Sequence, residues 1–338
     1  MGLVSPIGLN CPVRPIPFTA VPSPRYHAPM QTSLTFWIGF NAVVLALLVF
    51  DLAVLHRETR AISMRESLVT TLVWMALAVG FGLWIMHQEG RSKGLEFFTG
   101  YLIEYALSMD NIFIFVLIFA SFKIAADQQH RLLFWGVLGA LVMRGAMIGA
   151  GVALLTAFEW VIYLFGAYIL YAGFRMLFHK AEAEIKVEHH FVVRFARRFL
   201  PLSTGDHSGR FMVRENGRLK FTLLFLVLAV VELTDLVFAL DSIPAIFGVT
   251  KDPFIVYTSN ICAILGLRSL YFLLAGAVKS LVYLHTGLAC VLIFIGAKMV
   301  GEDFLPISTE LSLLIVGGIL GVAVIASLLK TKSQAQVD

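Results

Sequence analysis

The sequence predicts an all-α, polytopic membrane protein with about nine transmembrane helices. Hydrophobic residues make up 59% of the 338 residues, charged residues only 14%, and the mean hydropathy is +0.84. Long apolar segments also follow one another along the chain. A water-soluble domain carries about 25% charged residues, so this composition excludes the soluble classes.

The first 33 residues differ from the rest of the chain. Seven of the 11 prolines fall within residues 1–33, where no continuous apolar region occurs. This composition is typical of a disordered segment and not of a signal peptide or a helix. We expect a disordered tail, with Met30 as a candidate start of translation.

Nine segments are long enough, at about 20 residues, to cross the hydrocarbon core of a bilayer. Their predicted limits are 34–55, 67–87, 97–119, 132–156, 158–178, 221–247, 253–278, 280–301 and 309–329. We assign residues 34–90 to two peripheral helices, 97–178 and 221–301 to two three-helix repeats, 306–330 to a last helix and 331–338 to a tail.

The connection between the two repeats predicts the orientation. Residues 179–220 hold nine lysines and arginines, and cytoplasmic loops attract such residues. With this loop inside, the N-terminus lies outside and the C-terminus in the cytoplasm. The loop is a solvated linker or a surface for regulators or anionic lipids.

The repeat is visible in two acidic motifs. Glu104 and Asp110 are six positions apart, as are Asp235 and Asp241, and 131 positions separate the two motifs. Arg144 precedes an equivalent arginine, Arg268, by 124 positions. Two copies of three spans must enter the membrane from opposite sides, so we predict an inverted repeat like those of many secondary transporters.

Five carboxylates occupy apolar stretches that should span the membrane. They are Glu104, Asp110, Glu232, Asp235 and Asp241. Each costs about 2.5–3.5 kcal/mol at the centre of a bilayer, and such residues usually mark an ion or proton pathway.

The spacing of these acids suggests that their helices are broken. On a continuous helix Asp110 points about 120° away from Glu104, and Asp241 about 120° away from Asp235. Pro244 removes a backbone donor from the second helix. We therefore expect local unwinding that brings all four acids to one cation site near the midplane.

The donors available there are hard oxygen ligands, which suit Mg, Ca or Mn better than Cu or Zn. The candidate metal ligands are Glu104, Asp110, Asn111, Glu232, Asp235, Asp241 and Ser242, with Ser108, Met109 and Asp51 as further candidates. Met109 adds a softer thioether or simply faces lipid or core, and Asp51 could equally reach the headgroups.

Arg144 and Arg268 lie near the middles of their spans, as structural partners of the acids or as mobile counter-ions that replace the metal. In the structural alternative, the acids are protonated or paired with these arginines to hold helices together. The net charge of +4 reflects loop residues and implies no nucleic-acid partner. The HExxH motif is absent, and the acids occur as a duplicated set together with intramembrane arginines, so we expect no enzyme.

The segments GYLIEYALSMDN and VELTDLVFALDSIPAIF, followed by TKDPFIVYTSNICAILGLRSLYFLL, resemble the TerC family of integral membrane proteins. The resemblance covers about residues 34–330, and the proline-rich tail departs from it. It implies that the seven candidate ligands match the family's acidic transport motifs, and an architecture related to the LysE exporters.

The resemblance further implies a function. It points to export of Mn2+ from the cytoplasm across a bacterial inner membrane, with no prosthetic group, and to links with tellurite resistance and pH-linked expression. The alternative is a membrane scaffold or stress-response protein that supports membrane protein partners without transport.

Overall fold

The computed structural model describes residues 34–51, 64–178, 203, 209–215, 217–275, 283–304 and 307–334. The predicted proline-rich tail, most of the basic loop and the last four residues lie outside the described residues.

The described chain is almost entirely helical. Its helices are α1 Leu34–Phe50, α2 Met64–Glu89, α3 Arg91–Ser121, α4 Ala126–Ala157, α5 Val161–Phe178, α6 Leu223–Phe247, α7 Pro253–Leu265, α8 Leu267–Ala275, α9 Leu284–Val300 and α10 Thr309–Gln334. Two strands, β1 Met212–Glu215 and β2 Arg218–Phe221, form an antiparallel hairpin.

Six of the described helices are long and apolar enough to cross a membrane, namely α2 to α6 and α10. The pair α7 and α8, bent by 42°, makes a seventh if it is one span. The apolar helices α1 and α9 have 17 residues each and are shorter. The polytopic all-α class is confirmed, and the total of nine spans stays a prediction.

The hairpin lies at the end of the predicted basic loop, residues 179–220, and extends one residue beyond it. Gly217, with a positive φ of 76°, lies in the turn, and Met212 pairs with Phe221. Phe221 therefore belongs to a strand and not to a span. The next helix begins at Leu223 because the Thr222 hydroxyl accepts a hydrogen bond from the amide of Phe225 and caps it.

Helix α3 lies at the centre of the described bundle, where it packs against α2, α6, α7, α8, α9 and α10. It begins at Arg91, six residues before the predicted limit. The charges in its first turns suggested a loop, but Lys93 and Glu96 are buried and form an ion pair of 3.2 Å. Gly90, with φ 92°, makes the single-residue junction from α2.

Both acid-bearing helices are continuous, so the prediction of local unwinding is wrong. Pro244 lies in the last turn of α6, where its missing amide removes a single backbone hydrogen bond close to the helix end. The bend in the second predicted copy occurs instead at Gly266, between α7 and α8.

The packing follows an exchange pattern. The first helix of each predicted copy packs against the second of the other, α3 on α7 and α8, and α6 on α4. The third helices, α5 and α9, pack on each other. Reciprocal contacts of this kind are expected of an inverted repeat, because its two-fold axis makes each contact between the copies occur twice. The repeat itself stays a prediction.

Candidate cation site

Arg144 of α4 is the centre of a buried polar cluster. Its side chain is 0% exposed, and its Nε and Nη2 donate to the two carboxylate oxygens of Asp235 on α6 at 3.0 and 2.9 Å. Such bidentate, charge-assisted pairs are the strong class of hydrogen bond. The Nη1 of Arg144 contacts the carboxylate of Glu104 on α3. One arginine thus joins the leading acids of both motifs.

Two further side chains reach the same guanidinium. Asn260 Oδ1 on α7 lies 3.3 Å from Arg144 Nη1, and Ser242 Oγ on α6 lies 3.5 Å from it. Asn260 was absent from the predicted site. The sequence did offer a signal for Asn260: it is an amide side chain within the apolar run TSNICAIL, and a buried amide needs hydrogen-bond partners.

Several buried polar atoms around this cluster have no hydrogen-bond partner among the described residues. They are Glu104 Oε2, Ser108 Oγ, Asn111 Nδ2, Glu232 Oε2 and Asn260 Nδ2. Three of them belong to positions 104, 108 and 111, which share one face of α3. Unpaired buried polar groups are costly in proteins, and they concentrate here beside the arginine.

Glu232 lies one turn before Asp235 on the same helix, so the two carboxylates are neighbours. Its carboxylate lies against Gly139 of α4, where a β-carbon would collide with it. Glu104, Asp235 and Arg144 carry a net charge of −1 when all are ionised. An ionised Glu232 makes the site more negative still.

Asp110 and Asp241 lie outside the Arg144 cluster. Asp110 Oδ2 is 3.4 Å from the Nδ1 atom of His285 on α9. The hydroxyl of Tyr168 on α5 donates to Asp241 Oδ1 at 2.7 Å. Because the helices are continuous, these two acids keep their angular offset and face the third helices. His285 and Tyr168 were not predicted, and no motif in the sequence marks them.

Asp51, just beyond α1, pairs with Arg268 of α8 at 3.0 Å. The two residues are only 5% and 4% exposed, so the suggestion that Asp51 reaches the headgroups is wrong. Arg268 corresponds to Arg144 in the predicted repeat, yet it pairs with an acid just beyond the peripheral helix α1. The physical reason is that α2 packs on α8, and α1 contacts α7 through the Asn41–Tyr257 hydrogen bond. These contacts bring Asp51 to the bend between α7 and α8.

Comparison with known proteins decides the family. The profile of the integral membrane protein TerC family matches residues 89–335. The chain belongs to the TerC family. A Myxococcus xanthus protein described as an uncharacterized membrane protein is 47% identical over 310 residues, covering 92% of this chain and 97% of its own length.

One other relative of this TerC protein is named for a role. The Alx protein of Escherichia coli K12, named as a proposed membrane-bound redox modulator, is 44% identical over 294 residues, 84% of this chain and 91% of its own. A Rickettsia felis membrane protein is 38% identical over 294 residues, 87% and 97% of the two chains. No solved structure matches the chain significantly.

The predicted metal ligands of this TerC protein converge only in part: Glu104, Asp235 and Ser242 meet at Arg144, whereas Asp110 and Asp241 lie apart from it. Within the described ranges, no three histidine, cysteine, aspartate or glutamate side chains are grouped as a metal site. Met109 packs against the apolar core. The site that the structure does form is an anionic cluster closed by Arg144.

The ends of several helices meet at one face of the bundle. Lys93 Nζ lies 3.1 Å from Asp252, and the Thr250 hydroxyl donates to Glu96 at 2.6 Å. Asp252 also caps α7 by accepting from the amide of Phe254. This contact sets the start of α3 beside the end of α6, so the two acid-bearing helices run antiparallel.

Two loop residues near this face have shifted pKa values. Burial lowers the pKa of the Lys251 ammonium, although nearby Glu159 and Asp303 oppose the shift. Burial raises the pKa of the Glu302 carboxyl, and the neighbouring Asp303 adds to the shift. Partial desolvation therefore extends to the loops that connect the helices.

A separate apolar groove of about 770 Å³ lies between α1 and α2. Aromatic side chains, including Phe36, Phe81 and Trp84, line it together with Phe254 of α7. The lining contains no charged side chain, so this groove is not a cation site.

Proposed function

We propose that this TerC protein transports a divalent cation across the membrane through the Arg144 cluster, with Mn2+ as the substrate and export from the cytoplasm as the direction. One observation supports this most: a fully buried arginine bridges acids from both motif-bearing helices, beside polar atoms without partners. Charges placed at membrane depth are typical of ion pathways.

In this proposal Arg144 is the counter-ion of the substrate-free state. Its charge offsets Glu104 and Asp235, which would otherwise repel each other at low dielectric. An incoming divalent cation competes for the same oxygens and brings one more positive charge. The net charge of the three-residue cluster, −1 with arginine present, favours that second charge. Arg144 turns away as the cation binds.

The ligand chemistry supports a hard or borderline cation. Carboxylates, the Asn260 and Asn111 amide oxygens and the Ser108 and Ser242 hydroxyls are oxygen donors, which suit Mn2+, Mg2+ and Ca2+. The choice of Mn2+ and the outward direction rest on the family resemblance of the acidic motifs. We propose further that the protein is a bacterial inner-membrane transporter and not an enzyme, and that it needs no prosthetic group.

Manganese uptake by inverted membrane vesicles tests the proposal. We expect Asp110→Asn and Asp241→Asn to insert normally, because size and packing are kept and a desolvated charge is removed. Glu104→Gln and Asp235→Asn alter the Arg144 cluster itself. All four variants should lose uptake, measured at matched membrane levels.

Glu310→Gln is the matched control, because Glu310 forms an exposed pair with Arg91 outside the site. It should transport as the parent does. Parent-level uptake by all four acid variants would show that the acids are structural. A parent protein that moves no cation, yet retains a co-purifying partner in the acid variants, would favour the scaffold alternative.

A further inference from the structure

Asp110 and Asp241 occupy equivalent positions in the predicted repeat, and each contacts the third helix of the other predicted copy. Each stands six residues beyond the leading acid of its motif. Asp110 on α3 contacts α9, the third helix of the other predicted copy. Asp241 on α6 contacts α5, again the third helix of the other copy. The two contacts therefore join corresponding pairs of helices, through partner residues of different type and position.

The two contacts lie towards opposite faces of the membrane. Helices α3 and α6 are antiparallel, and Glu104 and Asp235 meet at Arg144. Six residues of helix rise by about 9 Å, so Asp110 and Asp241 are displaced from their leading acids by this distance in opposite directions. Each acid is partly accessible, unlike the fully buried Arg144.

Helices α5 and α9 form a closely packed pair. A β-carbon at Gly296 would lie 2.6 Å from the backbone nitrogen of Leu170, and one at Gly173 would lie 2.9 Å from that of Ile293. Such close backbone contact favours movement of α5 and α9 as one body. The Asp110–His285 and Asp241–Tyr168 contacts then connect the α5–α9 pair to α3 and α6, the helices that carry Glu104 and Asp235.

We propose that the Asp110–His285 and Asp241–Tyr168 contacts are the two gates of the cation pathway, one on each side of Arg144. A gate is here a side-chain contact that closes one side while the other is open. This inference rests on the proposed function and adds two residues to it, His285 and Tyr168, as positioning residues. A divalent cation opens each gate by replacing the imidazole or the phenol as partner of the carboxylate.

The strengths of the contacts agree with these roles. The gate at Asp241 is a hydrogen bond of 2.7 Å from a phenol, and at the Asp110 gate an imidazole nitrogen lies 3.4 Å from the carboxylate. Arg144, in contrast, makes two short bonds to Asp235 and a further contact to Glu104. The gates are therefore weaker than the central contact, as alternating opening requires.

Accessibility of a central cysteine tests the gates. The reporter is Ser108→Cys, in a background where Cys11, Cys262 and Cys290 are replaced by alanine. A membrane-impermeant, cationic methanethiosulfonate is added to one face of vesicles of known orientation. The labelling rate then measures how open the pathway is towards that face.

We expect Tyr168→Phe to speed labelling from the face that carries Asp252 by about tenfold, the factor that corresponds to about 1.4 kcal/mol, and to slow labelling from the opposite face. His285→Gln should produce the reverse. Tyr163→Phe is the matched control. Tyr163, also on α5, donates to Asp303 at 2.5 Å. Asp303 lies beyond α9 and not on α3 or α6, so loss of this hydrogen bond should change neither labelling rate.

The result separates this inference from the proposed function, since labelling needs no manganese. Reciprocal shifts support the gates even if the vesicles take up no Mn2+. Unchanged labelling in Tyr168→Phe and His285→Gln, with Mn2+ uptake intact, would overturn the gates and leave the transport proposal standing. Equal shifts in Tyr163→Phe would also overturn them.

Discussion

At the scale of single residues, Arg144 makes the central buried ion pairs of the bundle, with Glu104 and Asp235. Its guanidinium offers donors in a fixed planar fork, and side chains from α3, α6 and α7 meet that fork. Lysine has a single ammonium and cannot form the bidentate contact with Asp235. The cluster therefore requires arginine for shape as well as for charge.

Replacing Arg144 by glutamine should be strongly destabilising. The change leaves Glu104 and Asp235 buried without their cation, and breaking a buried pair costs about 3–5 kcal/mol. We expect a lower unfolding midpoint for the variant in detergent. The triple variant Arg144→Gln, Glu104→Gln, Asp235→Asn removes all three charges and should recover much of the loss. A midpoint for R144Q equal to the parent's would contradict the central role of the arginine.

At the scale of helices, two contacts decide how the elements fit together. Asp51 links the end of α1 to Arg268, two residues after the bend at Gly266. Glycines 166, 173 and 296 let α5 and α9 approach until their backbones touch. One contact is electrostatic and the other steric, so different substitutions test them.

Asp51→Asn should destabilise the protein because it leaves the buried Arg268 without its acid. The expected loss is about 3–5 kcal/mol, as for other broken buried pairs. The control Glu310→Gln breaks a pair whose side chains are 77% and 58% exposed, and such pairs contribute about 0–1 kcal/mol. Thermal unfolding in detergent compares the two. Equal midpoints would mean that the Asp51–Arg268 pair adds no stability.

Gly296→Ala should separate α5 from α9. The new β-carbon would lie 2.6–2.9 Å from backbone atoms of Leu170 and Gly166, which cannot move without shifting the helix. Overpacking of this kind costs about 1–3 kcal/mol. Gly318→Ala on α10 is the control, because no atom lies within 4 Å of its added carbon. Heat resistance should fall in the first variant alone, and a loss in both would point to a general effect of alanine.

At the scale of the whole molecule, antiparallel packing determines which termini share a face. The ends of α3, α6 and α7 meet through Lys93 and Asp252, and Tyr163 of α5 bonds to Asp303 beyond α9. On the opposite face, Tyr271 of α8 donates to Gln129 of α4. This alternation agrees with one continuous series of membrane crossings.

Reporter fusions test the direction of that series. A reporter that is active only outside the cytoplasm should be active after Phe247 and inactive after His189 or at Asp338. We expect the basic loop to lie in the cytoplasm because lysines and arginines resist translocation. In the predicted orientation the Asp110 gate lies on the cytoplasmic side of Arg144, and an active fusion at His189 would place it on the other side.

The sequence by itself determined the membrane class, the helical segments and the acids at membrane depth, because hydropathy and charge are local properties of the chain. It also paired Glu104 with Asp235 by their place in a repeat, and named Arg144. Only the tertiary structure decided which acid meets which cation. Arg144 pairs with Glu104 and Asp235, whereas Arg268 pairs with Asp51, although the predicted repeat makes the two arginines equivalent.

The same division explains the wrong prediction of broken helices. The sequence shows that Pro244 lacks a backbone donor, but it does not show where α6 ends. Because α6 ends at Phe247, Pro244 lies in the last turn and does not break the helix. His285, Tyr168 and Asn260 carry no motif and gain their meaning from helices packed beside the acids. Hydropathy and charge can be assigned to each residue from the sequence alone. A contact between two helices depends in addition on the position of every element between them.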